Sequence, residues 1–468
     1  MGPVKVRISP RAVNAGTLIP GLQPSTWGGG PLWKAGTCGI GGRGVDKKAI
    51  DNQIVNPATY AGNEAHHELF ASLRREDPVH WTEPDGYRPF WTITKHADVI
   101  EVERQAEIFE NGPRLVAMSS EEEDKIRAVT GGRNTLQRTM LSMNGPEHTG
   151  NRGVAREWFL PRNITKLQEQ VTEIADVFIG RLEELGGACD FARSVGVWYP
   201  LRVIMLIFGL PPDVEPTLHR LSREINGAQD PSLRRANTTQ AEHMMQVTGE
   251  FFEYFKKIAA DRRAHPRDDL ASVIANAKVG GVPLEDNLVY SYYLNICVAG
   301  HDSTSSALNG GVLAFIQHPE QLARLRANPE LMPKAVEEVL RWTVPLKHFF
   351  RNATRDYELR GRKIRRGDSL LMSYPSACRD EDAFGDPFNF RIDRNPNSHM
   401  TFGHGPHICL GQVLARQELN IFYTRLLQRV DHMSLAGEPT YQKSLTFGGL
   451  NSLPISYRML RKAPEAAA

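Results

Sequence analysis

A single cysteine lies among glycines and a basic side chain in the run Phe402-Gly403-His404-Gly405-Pro406-His407-Ile408-Cys409-Leu410-Gly411. Glycine lets the backbone turn tightly, so that main-chain N–H groups can approach the sulfur and stabilise its thiolate form. The pattern over 412–429 predicts a helix, and the positive end of its dipole would favour that thiolate. A thiolate held in this way suits axial ligation of a haem iron, which makes Cys409 the candidate metal ligand.

Two other interpretations of this cysteine are weaker. A lone cysteine at the start of a helix is usually a small buried hydrophobic side chain. His404, His407 and Cys409 would supply three zinc ligands, but a structural zinc site needs a fourth ligand and usually more open spacing. The pattern F-G-x-G-x-H-x-C-x-G resembles the cysteine-ligand loop of cytochrome P450 enzymes. The resemblance implies haem b (heme, iron protoporphyrin IX) with a Cys409 thiolate, and places Phe402 and Gly403 in the cofactor-binding loop.

A second motif, AGHDST over residues 299–304, lies on a long apolar helix predicted over 284–317. In P450 enzymes, a helix with the pattern A-G-x-D-T-T crosses the haem face opposite the cysteine. By this resemblance, the small residues Ala299 and Gly300 line the cofactor and open a gap for dioxygen (O2). The next polar residues are the catalytic candidates by the same resemblance. Asp302 would be the acid that relays protons, Ser303 the alcohol that hydrogen-bonds the oxygen, and Thr304 a second alcohol.

One residue of this motif departs from the family pattern. Ser303 stands where threonine is usual, and serine lacks the methyl group that restricts the χ1 angle. We therefore expect working catalysis with somewhat more leakage of electrons to peroxide. His301, in the same motif, is expected to be packed or solvated, without a catalytic role.

A scaffold motif, E-x-x-R, occurs at Glu338 and Arg341. Residues three apart on a helix face the same side, so the carboxylate and the guanidinium can pair. In P450 enzymes this pair is joined by a later segment behind the cysteine loop, and Arg394 is the expected third member. Their role is structural.

Four basic side chains match positions that hold the haem propionates in the family. His148 and Arg152 lie one helical turn apart in an H-x-x-x-R pattern. Arg351 follows the E-x-x-R helix in an expected strand, and His407 lies two residues before the cysteine. Each would hold a carboxylate through charge-assisted hydrogen bonds.

The elements that must position these residues are mostly helical. Helices are predicted along 167–185, with Asn163 as the cap, and along 244–258. Two strands, 79–82 and 90–94, are predicted around the turn at 84–86. The expected fold is mainly α with a smaller β region, the P450 fold, with haem between the long central helix and the cysteine-ligand loop.

Composition bounds the class of protein. The chain has 468 residues with 56 Lys plus Arg against 54 Asp plus Glu, which gives no net field for nucleic acid. Its five cysteines are scattered, which favours a reducing, cytoplasmic location without disulfides. No segment has the ~20 apolar residues of a membrane anchor. The acidic run 121–124 predicts a solvated surface.

A single folded domain preceded by an irregular arm is expected. The Gly- and Pro-rich stretch over residues 1–60 predicts an irregular N-terminal arm, and 61–468 predicts a single P450 haem domain. The resemblance is strongest to soluble bacterial P450s of the terpineol-hydroxylase type. It implies a monooxygenase that inserts one oxygen atom from O2 into a C–H bond of a small hydrophobic molecule, a terpenoid or an alkyl-aromatic.

The expected substrate pocket is apolar, since most of its candidates by fold analogy are. These are Leu115, Met118, Leu294, Val298, Val344 and Phe447. Lys347 and His348 are polar neighbours that could contact a polar group of the substrate.

Electrons are expected from a separate protein, because the chain shows no flavin or nicotinamide domain and no CxxC cluster. The resemblance implies a ferredoxin with an NAD(P)H-dependent ferredoxin reductase, docking near Arg156 and Arg162. A haem-thiolate peroxygenase or isomerase, and a non-enzymatic haem sensor, stay open as alternatives. Neither alternative needs a proton relay such as Asp302 and Ser303.

Overall fold

Helices form most of the chain in a computed structural model that describes residues 46–62, 65–228, 230 and 233–460. In chain order the α-helices are α1 Lys47–Ile54, α2 Ala65–Glu76, α3 His96–Arg104, α4 Ser120–Thr130, α5 Gly145–Arg156, α6 Pro161–Ile164, α7 Gln168–Glu184, α8 Trp198–Ile207, α9 Glu215–Asn226, α10 Gln240–Ala264, α11 Leu270–Ala275, α12 Asp286–Gln317, α13 Pro319–Ala327, α14 Met332–Thr343, α15 Tyr374–Ala377 and α16 Gln412–Arg429. A π-helical turn, Ala192–Gly196, precedes α8.

The strands are fewer and shorter. They are β1 Val79–Thr82, β2 Phe90–Ile93, β3 Phe109–Glu110, β4 Ala188–Asp190, β5 Lys278–Val279, β6 Val282–Pro283, β7 His348–Ala353, β8 Tyr357–Leu359, β9 Arg362–Ile364, β10 Ser369–Ser373, β11 Val430–Leu435, β12 Thr440–Tyr441, β13 Leu450–Ser452 and β14 Pro454–Met459. The prediction of a mainly α fold with a smaller β region is confirmed.

Helix α12 runs through the largest hydrophobic cluster of the described residues. Its side chains are buried on most of its circumference, as at Val289, Leu308 and Val312. Helices α8, α10 and α14 pack against it, so α12 is held from several sides. A helix that is apolar all round must lie in a core, which is why its length and composition predicted its position.

The main sheet has the strand order β1-β2-β10-β7-β3. The predicted hairpin is present, with Val79 opposite Ile93 in antiparallel pairing. Successive residues of β10 face opposite sides of the sheet, because side chains alternate along a strand. Leu370 belongs to the cluster that contains β1 and α3 residues, whereas Leu371 belongs to the cluster that contains α1 and α2 residues.

The N-terminal part of the chain differs from its prediction where it is described. Residues 1–45, with Cys38, lie outside the described residues, but α1 occupies part of the stretch expected to be irregular. Asp46 caps α1 by accepting from the Lys48 N–H at 3.0 Å, and Ile50 and Ile54 are buried against the sheet. Ile50 and Ile54, at positions i and i+4, therefore give α1 one apolar face. The Gly-rich composition of the residues before α1 hid this pattern from the sequence prediction.

Two smaller expectations are corrected. Helix α7 begins at Gln168, and the Asn163 amide donates to the Glu157 carbonyl at 2.8 Å instead of capping it. Glu123, in the acidic run, is buried and accepts from Arg114 and from Arg88, each at 2.8 Å. A carboxylate can be buried in this way only because two guanidiniums compensate its charge. None of the helices among the described residues is both long and apolar enough to cross a membrane.

Candidate functional site

The cysteine loop is closed by its own backbone. The Cys409 N–H donates to the Phe402 carbonyl at 2.8 Å, just before α16 begins. Gly403 and Gly405 both have φ of +68°, a conformation that favours glycine. A Cβ on Gly405 would lie 2.3 Å from the backbone oxygen of Glu103, so this glycine also allows the loop to contact α3.

Opposing influences act on the thiol of this loop. Burial raises the pKa of Cys409, while the Gly411 N–H and the cations Arg152 and Arg416 oppose that rise. The Arg416 guanidinium also lies 4.5 Å from the ring centroid of Phe402, which holds the loop against α16. The Gly411 N–H and the two arginines therefore favour the thiolate, but burial outweighs them, so a metal ion would have to displace the proton. The effect of the α16 dipole on Cys409 stays a prediction.

The predicted propionate-binding residues lie together beside the loop. The rings of His148 and His407 are stacked, with centroids 3.9 Å apart. Arg152 donates to the Ile408 carbonyl at 2.5 Å, which joins α5 to the residue before the cysteine. Burial together with the charges of His148, Arg351 and Arg152 lowers the pKa of His407 to about 2. His407 is therefore a neutral hydrogen-bonding group here, and the charge expected of it is carried by the two arginines.

A carboxylate that sequence reasoning missed lies in the same cluster. Glu103 of α3 is 2% exposed, and its Oε1 accepts from Arg351 at 2.6 Å and from the Tyr374 hydroxyl at 2.7 Å. Its Oε2 and the Nε2 of His148 are buried without a hydrogen-bond partner among the described residues. The signal was available: Glu103 lies one turn after Val99 on the apolar face of α3, where a charge is costly unless paired.

The central helix presents an open face at the predicted oxygen groove. Ala299 is exposed although most of α12 is buried, and Ser303, one turn later, is half-buried. The Ser303 hydroxyl donates to the Ala299 carbonyl at 2.6 Å. Thr304 faces another side of the helix and is 5% exposed. Of the two alcohols, Ser303 is therefore the one that borders open space.

Gly300 has a second reason to be glycine. A Cβ at this position would lie 2.4 Å from Cδ1 of Ile204, on α8. The absent side chain therefore allows α8 to pack closely on α12, in addition to the gap that the motif predicted. Asp302, the next predicted catalytic residue, is partly exposed and accepts a hydrogen bond from the Asn226 amide on α9.

The predicted scaffold residues are joined behind the cysteine loop. Arg341 makes two parallel hydrogen bonds to Glu338, each 2.7 Å, and both side chains are fully buried. Arg394 Nε lies 3.0 Å from Glu338 Oε2, and its other nitrogens donate to backbone carbonyls of the same segment. Glu338 is therefore the shared carboxylate of two guanidiniums, whose other N–H groups are bound by backbone carbonyls.

The six pocket candidates divide into three groups. Leu115, Met118 and Phe447 are half-buried and so can border an open space. Leu294 and Val298 belong to the large core cluster, with 6% and 8% of their surfaces exposed. Val344 packs in the cluster beneath the main sheet at 2% exposed, so it does not face an open space as expected.

The two polar neighbours are committed to the backbone rather than available to a substrate. The His348 ring accepts from the Ala117 N–H at 2.8 Å and donates to the Leu445 carbonyl at 2.9 Å. Lys347 donates to the carbonyls of Val344 and Thr343, at 2.9 and 3.3 Å, at the end of α14. The polar atoms of both residues thus satisfy main-chain groups, and a contact with the substrate stays a prediction.

The chemistry of the described residues fits a haem. Two guanidiniums and two imidazoles, with Glu103 as a single carboxylate, form a cluster that suits a ligand with two carboxylates of its own. The unpartnered His148 Nε2 lies in that cluster. The thiol of Cys409 supplies an axial ligand, and the open face of α12 at Ala299 and Ser303 supplies space for small molecules.

Comparisons with known proteins agree with this fit. The family model described as Cytochrome P450 matches residues 60–455. Cytochrome P450-terp from Pseudomonas sp is 37% identical over 415 residues, which cover 87% of this chain and 97% of that protein. Linalool 8-monooxygenase from Pseudomonas putida is 30% identical, covering 86% and 98%. The crystal structure of CYP108D1 from Novosphingobium aromaticivorans has a TM-score of 0.82 at 36% identity, covering 88% and 99%.

Proposed function

The chain belongs to the cytochrome P450 family, and we propose from this premise that it hydroxylates small hydrophobic molecules, terpenoids or alkyl-aromatics. As a member of that family it is a haem-thiolate monooxygenase. One observation carries the assignment to particular residues: the loop of Cys409 adjoins the cluster of His148, Arg152, Arg351 and His407.

These residues would hold different parts of the cofactor. Cys409 would bind the iron once its proton is displaced, aided by the Gly411 N–H and by Arg152. Arg152 and Arg351 would hold the propionates by charge, whereas His148 and His407 would donate neutral hydrogen bonds. The buried triad of Glu338, Arg341 and Arg394 would keep the loop in place from behind.

Haem with a thiolate ligand supplies activation of dioxygen, so that one oxygen atom enters a C–H bond and the other leaves as water after two electrons and two protons are added. The protons must come from the protein side. Ser303 borders the open face of α12 and can donate a hydrogen bond there by turning its hydroxyl from the Ala299 carbonyl. Asp302, partly exposed, is the acid that can exchange protons with solvent.

This relay argues for monooxygenation over the alternatives. A peroxygenase, an isomerase or a haem sensor does not need an acid and an alcohol placed next to each other on the central helix. The substrate class is supported by the relatives named P450-terp and linalool 8-monooxygenase, and by the apolar half-buried residues Leu115, Met118 and Phe447.

Electron supply by a ferredoxin with its NAD(P)H-dependent reductase is part of the proposal, as is a cytoplasmic location. Arg156 is exposed on α5, close in sequence to the cofactor-binding Arg152. Arg162 is also exposed, but it is paired with Glu157. We therefore favour Arg156 over Arg162 as a contact for an acidic partner, because its charge has no such competing pair among the described residues.

The first test is the carbon monoxide difference spectrum of the dithionite-reduced protein. A red-shifted Soret band is expected, and it should be lost in Cys409→Ser but kept in Cys189→Ser, whose thiol is half-buried on β4. A band at the unshifted position in the natural protein would mean that the iron lacks thiolate ligation. A shifted band that survives Cys409→Ser would assign the ligand to another cysteine.

The substrate class is tested by titration of the ferric protein with hydrophobic molecules. Monoterpenes and alkyl-aromatics should convert the iron to high spin and support NADH consumption with ferredoxin and reductase. Products should carry one added oxygen atom. A spin-state response confined to larger molecules, such as steroids or long fatty acids, would overturn the substrate class and leave the monooxygenase assignment intact.

A further inference from the structure

His301, expected to have no catalytic role, has both ring nitrogens beside acceptors. Its side chain is 1% exposed on α12. Nε2 lies 2.8 Å from the Val197 carbonyl, on the turn before α8. Nδ1 lies 3.1 Å from Oδ1 of Asp302, without the alignment of a full hydrogen bond. The ring therefore connects a fixed carbonyl to the acid of the relay motif.

These two contacts constrain the protons. A backbone carbonyl can only accept, so Nε2 must carry a hydrogen. The remaining nitrogen, Nδ1, would then hold its lone pair 3.1 Å from Oδ1 of Asp302, where the two repel each other unless one more proton lies between them. That proton belongs either to an imidazolium or to a protonated carboxyl group, and both arrangements replace a buried repulsion by an attraction.

Two side chains of α9, His219 and Asn226, lie against this pair. His219 of α9 has its ring centroid 6.0 Å from that of His301, and burial, followed by the charge of His301, lowers the pKa of His219 to about 4. His219 is therefore neutral near pH 7; the Asp302 charge opposes this lowering of its pKa, and the Arg223 charge on α9 adds to it. The Asn226 amide fixes the second carboxylate oxygen of Asp302.

We propose that His301 and Asp302 share one proton, and that His301 is the positioning residue that keeps Asp302 supplied with it during oxygen activation. The proposal rests on the proposed monooxygenase function and extends it to a residue outside the acid–alcohol pair. The proton passes from the shared site to the oxygen side, and solvent returns it through the exposed part of Asp302. No bond other than those to this proton forms or breaks.

The direct test measures the proton itself in the ferrous carbon monoxide form of the holoenzyme, which is diamagnetic. Imidazole ¹H–¹⁵N spectra near pH 7 should show His301 protonated on both nitrogens. Alternatively, an infrared carboxylic acid band, absent in Asp302→Asn, should accompany a ring protonated on Nε2 alone. Either result supports the shared proton. A ring protonated only on Nε2, with no such band, would overturn the proposal.

Two variants separate proton sharing from packing. His301→Asn keeps a donor near Asp302, and His301→Gln keeps a donor toward Val197, but neither titrates. In both, substrate oxidation should fall about tenfold, peroxide per electron should rise, and the pH profile of coupling should flatten. A merely structural role predicts lower thermal stability with an unchanged pH profile, and that result would contradict the proposal.

His432→Gln, an exposed histidine on β11, is the matched control and should behave as the natural protein. The carbon monoxide difference spectrum separates a failure of the proton-sharing proposal from a failure of the proposed function. If the shifted band is present and the His301 variants retain the normal pH profile, the proton-sharing proposal fails alone. If the band is absent, the proposed function fails first.

Discussion

Glu103 and Arg351 form a buried ion pair in the cluster beside the cysteine loop, with 2.6 Å between Oε1 and the guanidinium nitrogen. The Tyr374 hydroxyl donates to the same oxygen at 2.7 Å. Glu103, itself held by the Tyr374 hydroxyl of α15, therefore orients Arg351 independently of any cofactor carboxylate. This arrangement fixes the strand β7 to the helix that also contacts the cysteine loop.

Replacing Glu103 should destabilise the fold. In Glu103→Gln, the buried Arg351 guanidinium loses its carboxylate partner from the protein, and we expect a loss of about 3 kcal/mol in the free energy of unfolding. Urea unfolding followed by circular dichroism and by the Soret band would measure it. Glu101→Gln, an exposed site on the same helix, should change stability little, and equal effects of the two substitutions would contradict the argument.

The sequence predicted the elements that have strong periodicity or a compact motif. The bounds of α16 match the predicted 412–429, and α12 matches the long apolar run. The triad around Glu338 also has the expected partners. These succeed because spacing within one helix or loop already fixes which side chains can meet.

Contacts between distant segments escaped prediction. Glu103 and Arg351 are 248 positions apart, and neither has a local pattern that identifies the other. The sequence also did not show that Lys347 donates to carbonyls at the end of α14, because this contact depends on how the chain turns back after that helix. Together with Arg379, which donates to the carbonyls of Arg341 and Trp342, Lys347 satisfies the last carbonyls of α14.

Restoring the family threonine at position 303 should reduce the leakage of electrons to peroxide. The Ser303 hydroxyl donates to the Ala299 carbonyl at 2.6 Å, and serine can leave this orientation for several rotamers. The methyl group of threonine restricts χ1, so Ser303→Thr should lower peroxide formed per electron consumed about twofold. Thr304→Ser, at the buried neighbouring site, is the control. Unchanged or increased leakage in Ser303→Thr would refute the rotamer argument.

His348 should make the protein sensitive to mild acid. Burial lowers the pKa of His348 to about 4, and its ring must stay neutral to accept from the Ala117 N–H. In the unfolded chain the same group has a pKa of about 6.5. Between these values the unfolded state binds the extra proton, so folding stability falls as pH decreases from about 6.5 to about 4 and then levels off.

The measurement is the free energy of unfolding at several pH values for the natural protein and His348→Gln. The variant lacks this titration, so the natural protein should lose about 3 kcal/mol more than the variant between pH 6.5 and 4. Other buried histidines, such as His66 with its pKa lowered to about 3, contribute equally to both proteins. Parallel curves for the two proteins would disprove the assignment to His348.

The two reasons for glycine at position 300 make different predictions. If close packing of α8 is the reason, Gly300→Ala should destabilise the fold by roughly 1–2 kcal/mol, because a Cβ 2.4 Å from Ile204 Cδ1 costs more than the helix gains from alanine. Ile204→Val removes that carbon and should restore most of the loss. If the gap for oxygen also matters, the double variant should recover stability but still lose electrons to peroxide.

Thermal unfolding and peroxide yield, measured on both single variants and on the double variant, separate the two reasons. A double variant no more stable than Gly300→Ala would exclude the clash with Ile204 as the cause.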